Sequence, residues 1–208
     1  MTYRVAINGY GRIGQSVLRA YYESRLTGDI TYPFKIVAIN ELSDIDTIAY
    51  LTRYDTTHGR FPLKVEVKGS STLCIDGDEI LVVRHENVSE LPWSDLDIDL
   101  VLECTGAFST HALASKHIDS GAKCVLLSQP GDESVDKTII YGFNHHDITG
   151  NESVISNASC TTNCLAPLAK VLHESIGIEH GLMTTIHAYT NDQVLTDVYH
   201  SDLRRARS

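Results

Sequence analysis

The chain has 208 residues, enough for one large domain or for one domain and part of a second. Its net charge of −10 argues against a general nucleic-acid-binding protein, which would carry a basic surface. No run approaches the ~20 consecutive apolar residues of a membrane-spanning helix, and the start of the chain does not resemble a secretion signal. Together with an odd number of cysteines, five, these features predict a cytoplasmic protein with reduced thiols.

The first predicted elements are a strand, a glycine turn, a helix and a second strand. Residues 3–8 form a short apolar run, and the apolar residues that follow the turn recur at helical spacing until about Ser24. The sequence Thr27-Gly28-Asp29 then breaks the helix, and residues 34–40 form another apolar run. This order predicts a βαβ unit.

The rest of the first 156 residues continues this alternation. Further buried strands are predicted at residues 80–83, 100–103, 124–127 and 138–141, with a helix at 112–120. Strands that alternate with helices predict an α/β fold with a doubly wound, mostly parallel sheet. Residues 61–78 alternate apolar and polar side chains between turn signals, which predicts an inserted antiparallel hairpin. We place a domain boundary near Ser156.

The glycine turn has the pattern Gly9-x-Gly11-x-x-Gly14 between a strand and a helix. In that context the first glycine permits a tight turn, the second lets the backbone approach a pyrophosphate, and the third lets the helix pack closely on the strand. Glu41, at the end of the second strand, is the candidate acid for the ribose hydroxyls, which favours NAD over NADP. The alternative is that Glu41 only caps a turn. The pattern predicts a Rossmann dinucleotide-binding domain over residues 1–156.

A second candidate site surrounds Cys160. Small and capping residues lead into an apolar helix predicted for residues 160–175, so Cys160 should lie in its first turn. A helix N-terminus stabilises a thiolate, which makes the position suitable for a nucleophile, although many free cysteines are simply buried. Cys164, one turn later, is predicted to be a buried small hydrophobe, and the i, i+4 spacing of the two does not indicate a metal site.

His187 is a candidate base, because it follows an apolar run at residues 181–186 that we predict to be a strand, although this position alone does not select it among the ten histidines. The default prediction for the other histidines is a surface or capping role; they are His58, His85, His111, His117, His145, His146, His173, His180 and His200.

Four segments, at residues 7–14, 156–164, 187–193 and 203–207, resemble motifs of the glyceraldehyde-3-phosphate dehydrogenase family and occur in the family's order. The resemblance extends over the whole chain. It implies a Rossmann domain followed, at residues 157–208, by the truncated start of an α+β catalytic domain: the nucleophile helix, a strand and the start of an S-shaped loop. It also implies a homotetramer in the intact protein.

The resemblance implies roles for individual residues. Cys160 would attack a phosphorylated aldehyde, with His187 as base, and its backbone amide would help to hold the oxyanion. The other implied contacts are Ser159 and Thr161 with inorganic phosphate, Thr190 and Asp192 with the substrate phosphate, and Asn8, Gly9, Gly11, Arg12, Ile13, Gly14, Glu41, Arg84, Thr105 and Ser128 with NAD.

The sequence leaves two enzyme activities of this family as alternatives. Residues 40–42, 54–61 and 128–130 resemble erythrose-4-phosphate dehydrogenase, which hydrolyses its thioester, whereas residues 187–192 have the glyceraldehyde-3-phosphate form. We favour the latter because function is argued from the site. Family members extend well beyond Ser208. If these residues are the whole molecule, we expect NAD binding without efficient turnover, and exposed apolar surface. A non-enzymatic NAD-binding module is the alternative from another class.

Overall fold

A large, mostly parallel sheet organises the N-terminal part of the chain. The computed structural model describes residues 2–28 and 32–190. In chain order its elements are β1 (Tyr3–Asn8), α1 (Arg12–Thr27), β2 (Phe34–Asn40), α2 (Ile45–Arg53), β3 (Tyr54–Asp55), β4 (Gly59–Arg60), β5 (Val65–Lys68), β6 (Thr72–Ile75), β7 (Asp78–Val83), a 3-10 turn (Val88–Glu90), β8 (Leu100–Glu103), α3 (His111–Ala114), α4 (Lys116–Asp119), β9 (Cys124–Leu127), β10 (Lys137–Thr138), a second 3-10 turn (His145–Asp147), β11 (Val154–Ser156) and α5 (Cys160–Ile176).

The order of the strands in the sheet is β10-β11-β9-β8-β1-β2-β7-β6-β5. All neighbours from β10 to β7 are parallel, and β6 and β5 are added antiparallel. The chain builds outward from β1 in one direction through β2 and β7, and in the other through β8, β9 and β11. This is the doubly wound Rossmann order, and ligands bind such sheets at the carboxyl ends of the strands beside the point of reversal.

Apolar side chains cover both faces of this sheet. On one face, Leu18 and Tyr22 of α1 pack with Ile48 of α2 against the strands. On the other face, a second cluster contains Trp93 and Ala114 of α3. The two layers bury alternate side chains of the parallel strands, so the sheet is covered as a doubly wound fold requires.

Most of the predicted elements are confirmed, several at the predicted bounds. The strands at 3–8, 34–40, 100–103 and 124–127 coincide with β1, β2, β8 and β9, and the inserted hairpin is β5 and β6. The first helix continues beyond Ser24 to Thr27, where Gly28 ends it in the left-handed conformation with φ 71°. The helix predicted at 112–120 is interrupted at Ser115, whose hydroxyl group hydrogen-bonds to His111 Nδ1 at 3.0 Å.

The strand predicted at residues 138–141 is wrong beyond its first residue. The strand β10 ends at Thr138, and the Ile139 N–H makes one more bond, to the Ser156 carbonyl oxygen at 2.8 Å. Asn144 Oδ1 then accepts the Ile140 N–H at 2.7 Å, while the backbone N–H of Asn144 donates back to the Ile140 carbonyl oxygen. An asparagine side chain thus diverts the backbone into a turn.

The chain divides into two compact units, Met1–Leu168 and Ala169–Ser208. In the described part of the second unit, residues 181–186 have no strand, contrary to prediction, and Leu182 and Ile186 are fully exposed. A strand requires a partner for its backbone groups, and none of the described residues supplies one. No side chain of α5 is buried, so the prediction of a buried Cys164 is also wrong. The boundary near Ser156 stays a prediction.

The two edges of the sheet differ. One edge is β5, flanked by charged side chains: Lys64 pairs with Glu66 at 2.8 Å and Lys68 with Glu79 at 2.6 Å. The other is β10, which has only two residues. Among the described residues, no helix is long and apolar enough to span a bilayer.

Candidate active site

The three glycines of the turn after β1 differ in what a side chain at each position would contact. Gly9 has φ +87°, and a Cβ there would lie 2.7 Å from Thr105 Cγ2. A Cβ on Gly14 would lie 2.3 Å from the Gly9 carbonyl oxygen, so this glycine permits the close approach of α1 to β1. A Cβ on Gly11 would contact nothing within 4 Å. A side chain at Gly9 or Gly14 would therefore clash with the protein, whereas a side chain at Gly11 would extend into open space.

That open space lies at the N-terminus of α1. In the part of the chain that the structure describes, no side chain caps this helix, and its first turn contains no acidic residue. Uncapped N–H groups at a helix start, next to a glycine without a side chain, form an anion-binding site. These residues fit the pyrophosphate of a dinucleotide.

Glu41 follows β2 directly and lies beside the same turn. Its Oε2 accepts the Tyr10 N–H at 2.8 Å, and its Oε1 accepts the N–H groups of Leu42 at 2.8 Å and Ser43 at 3.3 Å. The carboxylate therefore does cap a turn, and it also fixes the glycine turn to the end of β2. Because it is only half-buried, it remains available to a ligand.

We expect Glu41→Gln to weaken NAD binding by about tenfold and to narrow the preference for NAD over NADP by a similar factor. The substitution puts an amide N–H against backbone donors and removes the charge that repels a 2′-phosphate. Calorimetric titration with both dinucleotides measures the ratio of the NADP dissociation constant to the NAD dissociation constant. Glu66→Gln, on the distant strand β5, is the control. An unchanged ratio would restrict Glu41 to its capping role.

Arg12, in the first turn of α1, is held by Asp55 of the β3–β4 hairpin through both guanidinium nitrogens. Asp55 Oδ1 also accepts the His58 N–H at 2.8 Å. The Arg12 guanidinium, and then this backbone N–H, lower the pKa of Asp55. The carboxylate is thereby kept ionised and orients Arg12 at the start of the helix, a contact that the sequence analysis missed.

The remaining predicted cofactor residues lie at the carboxyl ends of neighbouring strands. Asn8 is the last residue of β1 and is buried, Thr105 follows β8, and Ser128 follows β9 with its N–H bonded to the Glu103 carbonyl oxygen at 3.0 Å. Arg84 follows β7, and Ile13 is half exposed in the first turn of α1. The parallel sheet thus brings Asn8, Arg84, Thr105 and Ser128 to one edge, and their contacts with NAD stay a prediction.

Cys160 is exposed and is the first residue of α5. Ser159 caps this helix, with its Oγ accepting the Thr162 N–H at 3.0 Å and contacting Thr161 Oγ1 at 3.0 Å. The preceding turn is fixed to the sheet by the Asn157 N–H, which donates to the Leu127 carbonyl oxygen at 2.9 Å. Because β11 is parallel to β9, this turn places Cys160 at the carboxyl edge of the sheet.

His187 and Thr190 belong to the second compact unit, and Asp192 and His200 lie outside the described residues. The His187 ring contacts the Ala188 carbonyl oxygen through Nδ1. A carbonyl oxygen can only accept, so this contact favours the neutral tautomer of His187 with its proton on Nδ1.

A buried polar pair that was not predicted from the sequence lies near the carboxyl edge of the sheet. His117 is wholly buried, contrary to the surface or capping role predicted for it, and its Nε2 lies 3.0 Å from Oε2 of the equally buried Glu103. Two signals were available. Glu103 is a charged residue at the end of an apolar strand, and His117 lies three residues after Ala114, at the spacing of one helix face.

Comparison with known proteins identifies this arrangement. The model "Glyceraldehyde 3-phosphate dehydrogenase, NAD binding domain" matches residues 3–111, and the corresponding C-terminal domain model matches residues 159–208. The chain belongs to the glyceraldehyde-3-phosphate dehydrogenase family. The matched NAD-binding domain contains strands β1 to β8 of the structure described above, and the cofactor of that domain is NAD.

Several curated relatives named glyceraldehyde-3-phosphate dehydrogenase align with all 208 residues of this family member. The plasmid-encoded protein of Cupriavidus necator is 58% identical, that of Pseudomonas aeruginosa 54% and that of Xanthobacter flavus 51%. The chain spans 60% of the length of each relative.

Proposed function

We propose that the chain is the cofactor-binding and nucleophile-bearing part of an NAD-dependent, phosphorylating glyceraldehyde-3-phosphate dehydrogenase. In this proposal residues 1–156 form the NAD-binding domain and residues 157–208 begin the catalytic domain. One observation carries it: the exposed Cys160 starts a helix at the same sheet edge as the uncapped glycine turn. A nucleophile beside a dinucleotide site is the arrangement that an aldehyde-oxidising enzyme requires.

The chemistry follows from the residue types. His187 takes the thiol proton of Cys160, the thiolate adds to the aldehyde carbon, and the same proton passes to the carbonyl oxygen to give a hemithioacetal. NAD, when bound, supplies a hydride acceptor. Loss of a hydride from the hemithioacetal carbon and of the hydroxyl proton to His187 leaves a thioester on Cys160. Inorganic phosphate attacks the thioester, and an acyl phosphate and the Cys160 thiolate are released.

The phosphate groups have candidate partners among the predicted site residues. The hydroxyl groups of Ser159 and Thr161 flank Cys160 in the first turn of α5, where helix N–H groups favour an anion. We assign inorganic phosphate to them and the substrate phosphate to Thr190 and Asp192. The cofactor contacts are those at the ends of β1, β2, β7, β8 and β9, and the intact protein is a homotetramer in this proposal.

The three-carbon substrate is favoured over the four-carbon one because the relatives at 51–58% identity carry the name of the three-carbon enzyme. A test is NADH formation from glyceraldehyde 3-phosphate and erythrose 4-phosphate, each with and without inorganic phosphate. We expect phosphate-dependent NADH from the three-carbon aldehyde, lost in Cys160→Ser and retained in Cys164→Ser. Phosphate-independent oxidation of the four-carbon aldehyde would overturn the proposal. NAD binding without NADH from either would favour a binding module.

A further inference from the structure

A chain of buried hydrogen bonds runs beneath the glycine turn, from the second apolar cluster to the carboxyl edge of the sheet. Trp93 Nε1 donates to His117 Nδ1 at 3.0 Å, and His117 Nε2 lies 3.0 Å from Glu103 Oε2. The same carboxylate oxygen accepts from Asn8 Nδ2 at 2.6 Å, and Asn40 Nδ2 donates to Asn8 Oδ1 at 2.7 Å. These side chains connect β2, β1, β8 and α4.

The direction of each hydrogen bond is fixed by chemistry. An indole N–H can only donate, so His117 Nδ1 must be the acceptor and His117 is the neutral tautomer with its proton on Nε2. That proton points at Glu103, which is therefore the final acceptor of the chain. Trp93, His117 and Glu103 are all completely buried, so water cannot replace any of these partners.

The other carboxylate oxygen of Glu103 binds Thr105, one of the proposed NAD contacts. Glu103 Oε1 accepts the Thr105 backbone N–H at 2.7 Å and also the Thr105 hydroxyl group. Thr105 in turn borders the glycine turn, because it is the residue that a Cβ on Gly9 would strike. One buried carboxylate thus positions two of the proposed NAD contacts, Asn8 through Oε2 and Thr105 through Oε1.

We propose that His117 is a positioning residue for the NAD site. Its N–H fixes the orientation of Glu103, and Glu103 fixes Asn8 and Thr105. Without that N–H, Glu103 Oε2 keeps only Asn8, and the carboxylate is free to rotate. Rotation releases one of the two proposed contacts. The inference rests on the proposed NAD contacts of Asn8 and Thr105.

Two amide substitutions separate this role from simple packing. In His117→Gln, the amide reproduces both the acceptor for Trp93 and the donor to Glu103. In His117→Asn, the shorter amide still accepts from Trp93 but does not reach Glu103. We expect the Kd for NAD to stay within about threefold of wild type in the glutamine variant and to rise about tenfold or more in the asparagine variant.

The measurements are calorimetric titration of the 208-residue chain with NAD, well below each variant's unfolding temperature, together with fluorescence of Trp93, the protein's single tryptophan. An unchanged Trp93 emission maximum in both variants verifies that the surrounding cluster is intact. Ile98→Ala is the matched control: Ile98 is completely buried in the same cluster but is not part of the chain of hydrogen bonds. It should lower the unfolding temperature and leave the Kd unchanged.

Equal NAD affinities for the asparagine and glutamine variants would refute the positioning role, as would a weakening in Ile98→Ala as large as that in His117→Asn. A Gly11→Ala variant tests the underlying site in the same assay. If Gly11→Ala binds NAD like wild type, the proposed NAD site itself is wrong. If Gly11→Ala loses binding and His117→Asn does not, only the positioning role fails.

Discussion

Replacing Gly14 by alanine should lower the affinity for NAD by more than about 100-fold. The new Cβ would lie 2.3 Å from the Gly9 carbonyl oxygen and 3.2 Å from Ile7 Cγ2. The first contact is with backbone, so it is relieved only when α1 moves away from β1 or the glycine turn changes its path. Either movement displaces the helix N-terminus from the proposed pyrophosphate site. Overpacking of this kind should also cost about 1–3 kcal/mol of folding stability.

Gly11→Ala is the informative partner of this variant. Its Cβ meets no protein atom within 4 Å, and the residue has an ordinary φ of −76°. The free energy of unfolding should therefore change by less than about 1 kcal/mol, while NAD affinity still falls because a methyl group occupies the ligand's space. Gly181→Ala, also in open space and in the second unit, should change neither quantity. If Gly14→Ala bound NAD normally, the close approach of helix and strand would not be required.

Cys160 should be the first of the five cysteines to react with iodoacetamide, and at about pH 6 it should react roughly tenfold faster than Cys164. Cysteines at helix N-termini have lowered pKa values, and their larger thiolate fraction at acidic pH outweighs the lower nucleophilicity of each thiolate. Cys104 and Cys124 should remain unlabelled, since burial raises the pKa of Cys104 to about 12 and raises that of Cys124 as well. Mass spectrometry of peptides measures each rate.

Cys164 is the natural control for this experiment. It is exposed on the same helix, one turn beyond Cys160, and so shares its accessibility without its position at the helix start. Cys160→Ser should remove the fast phase of labelling, whereas Cys164→Ser should leave it intact. Equal rates for the two cysteines would contradict an activated nucleophile at Cys160, whatever the NAD affinity of the chain.

The fold was predictable from the sequence wherever apolar runs stand between clear breaking residues. The runs that became β1, β2, β8 and β9 each have a glycine, proline or charged residue next to at least one end, and their bounds matched. Prediction failed where a single side chain set the backbone conformation. The strand predicted at residues 138–141 ends early because Asn144 Oδ1 accepts the Ile140 N–H. Prediction also failed at residues 181–186, because apolar composition supplies no partner for a strand.

The candidate site was predictable in its local parts. The glycine turn, Glu41 and the start of α5 each follow from residues adjacent in sequence. The sequence carried signals that Glu103 and His117 are each buried, but it did not predict that they pair, because the position of Glu103 depends on the register that places it opposite Asn8 in β8 and β1. That register joins residues 95 positions apart, and a histidine in a short helix gives no sign of it.

The edges of the sheet determine how this chain can associate with copies of itself. An unpaired edge strand is a template on which another chain adds hydrogen bonds, the first step toward fibrils. A second chain added at β5 would have to accommodate the Lys64 and Lys68 charges, and at β10 it would find only two residues to pair with. Self-association through the described residues would therefore use exposed apolar side chains, such as Leu168 and Ile176 of α5, in place of an edge strand.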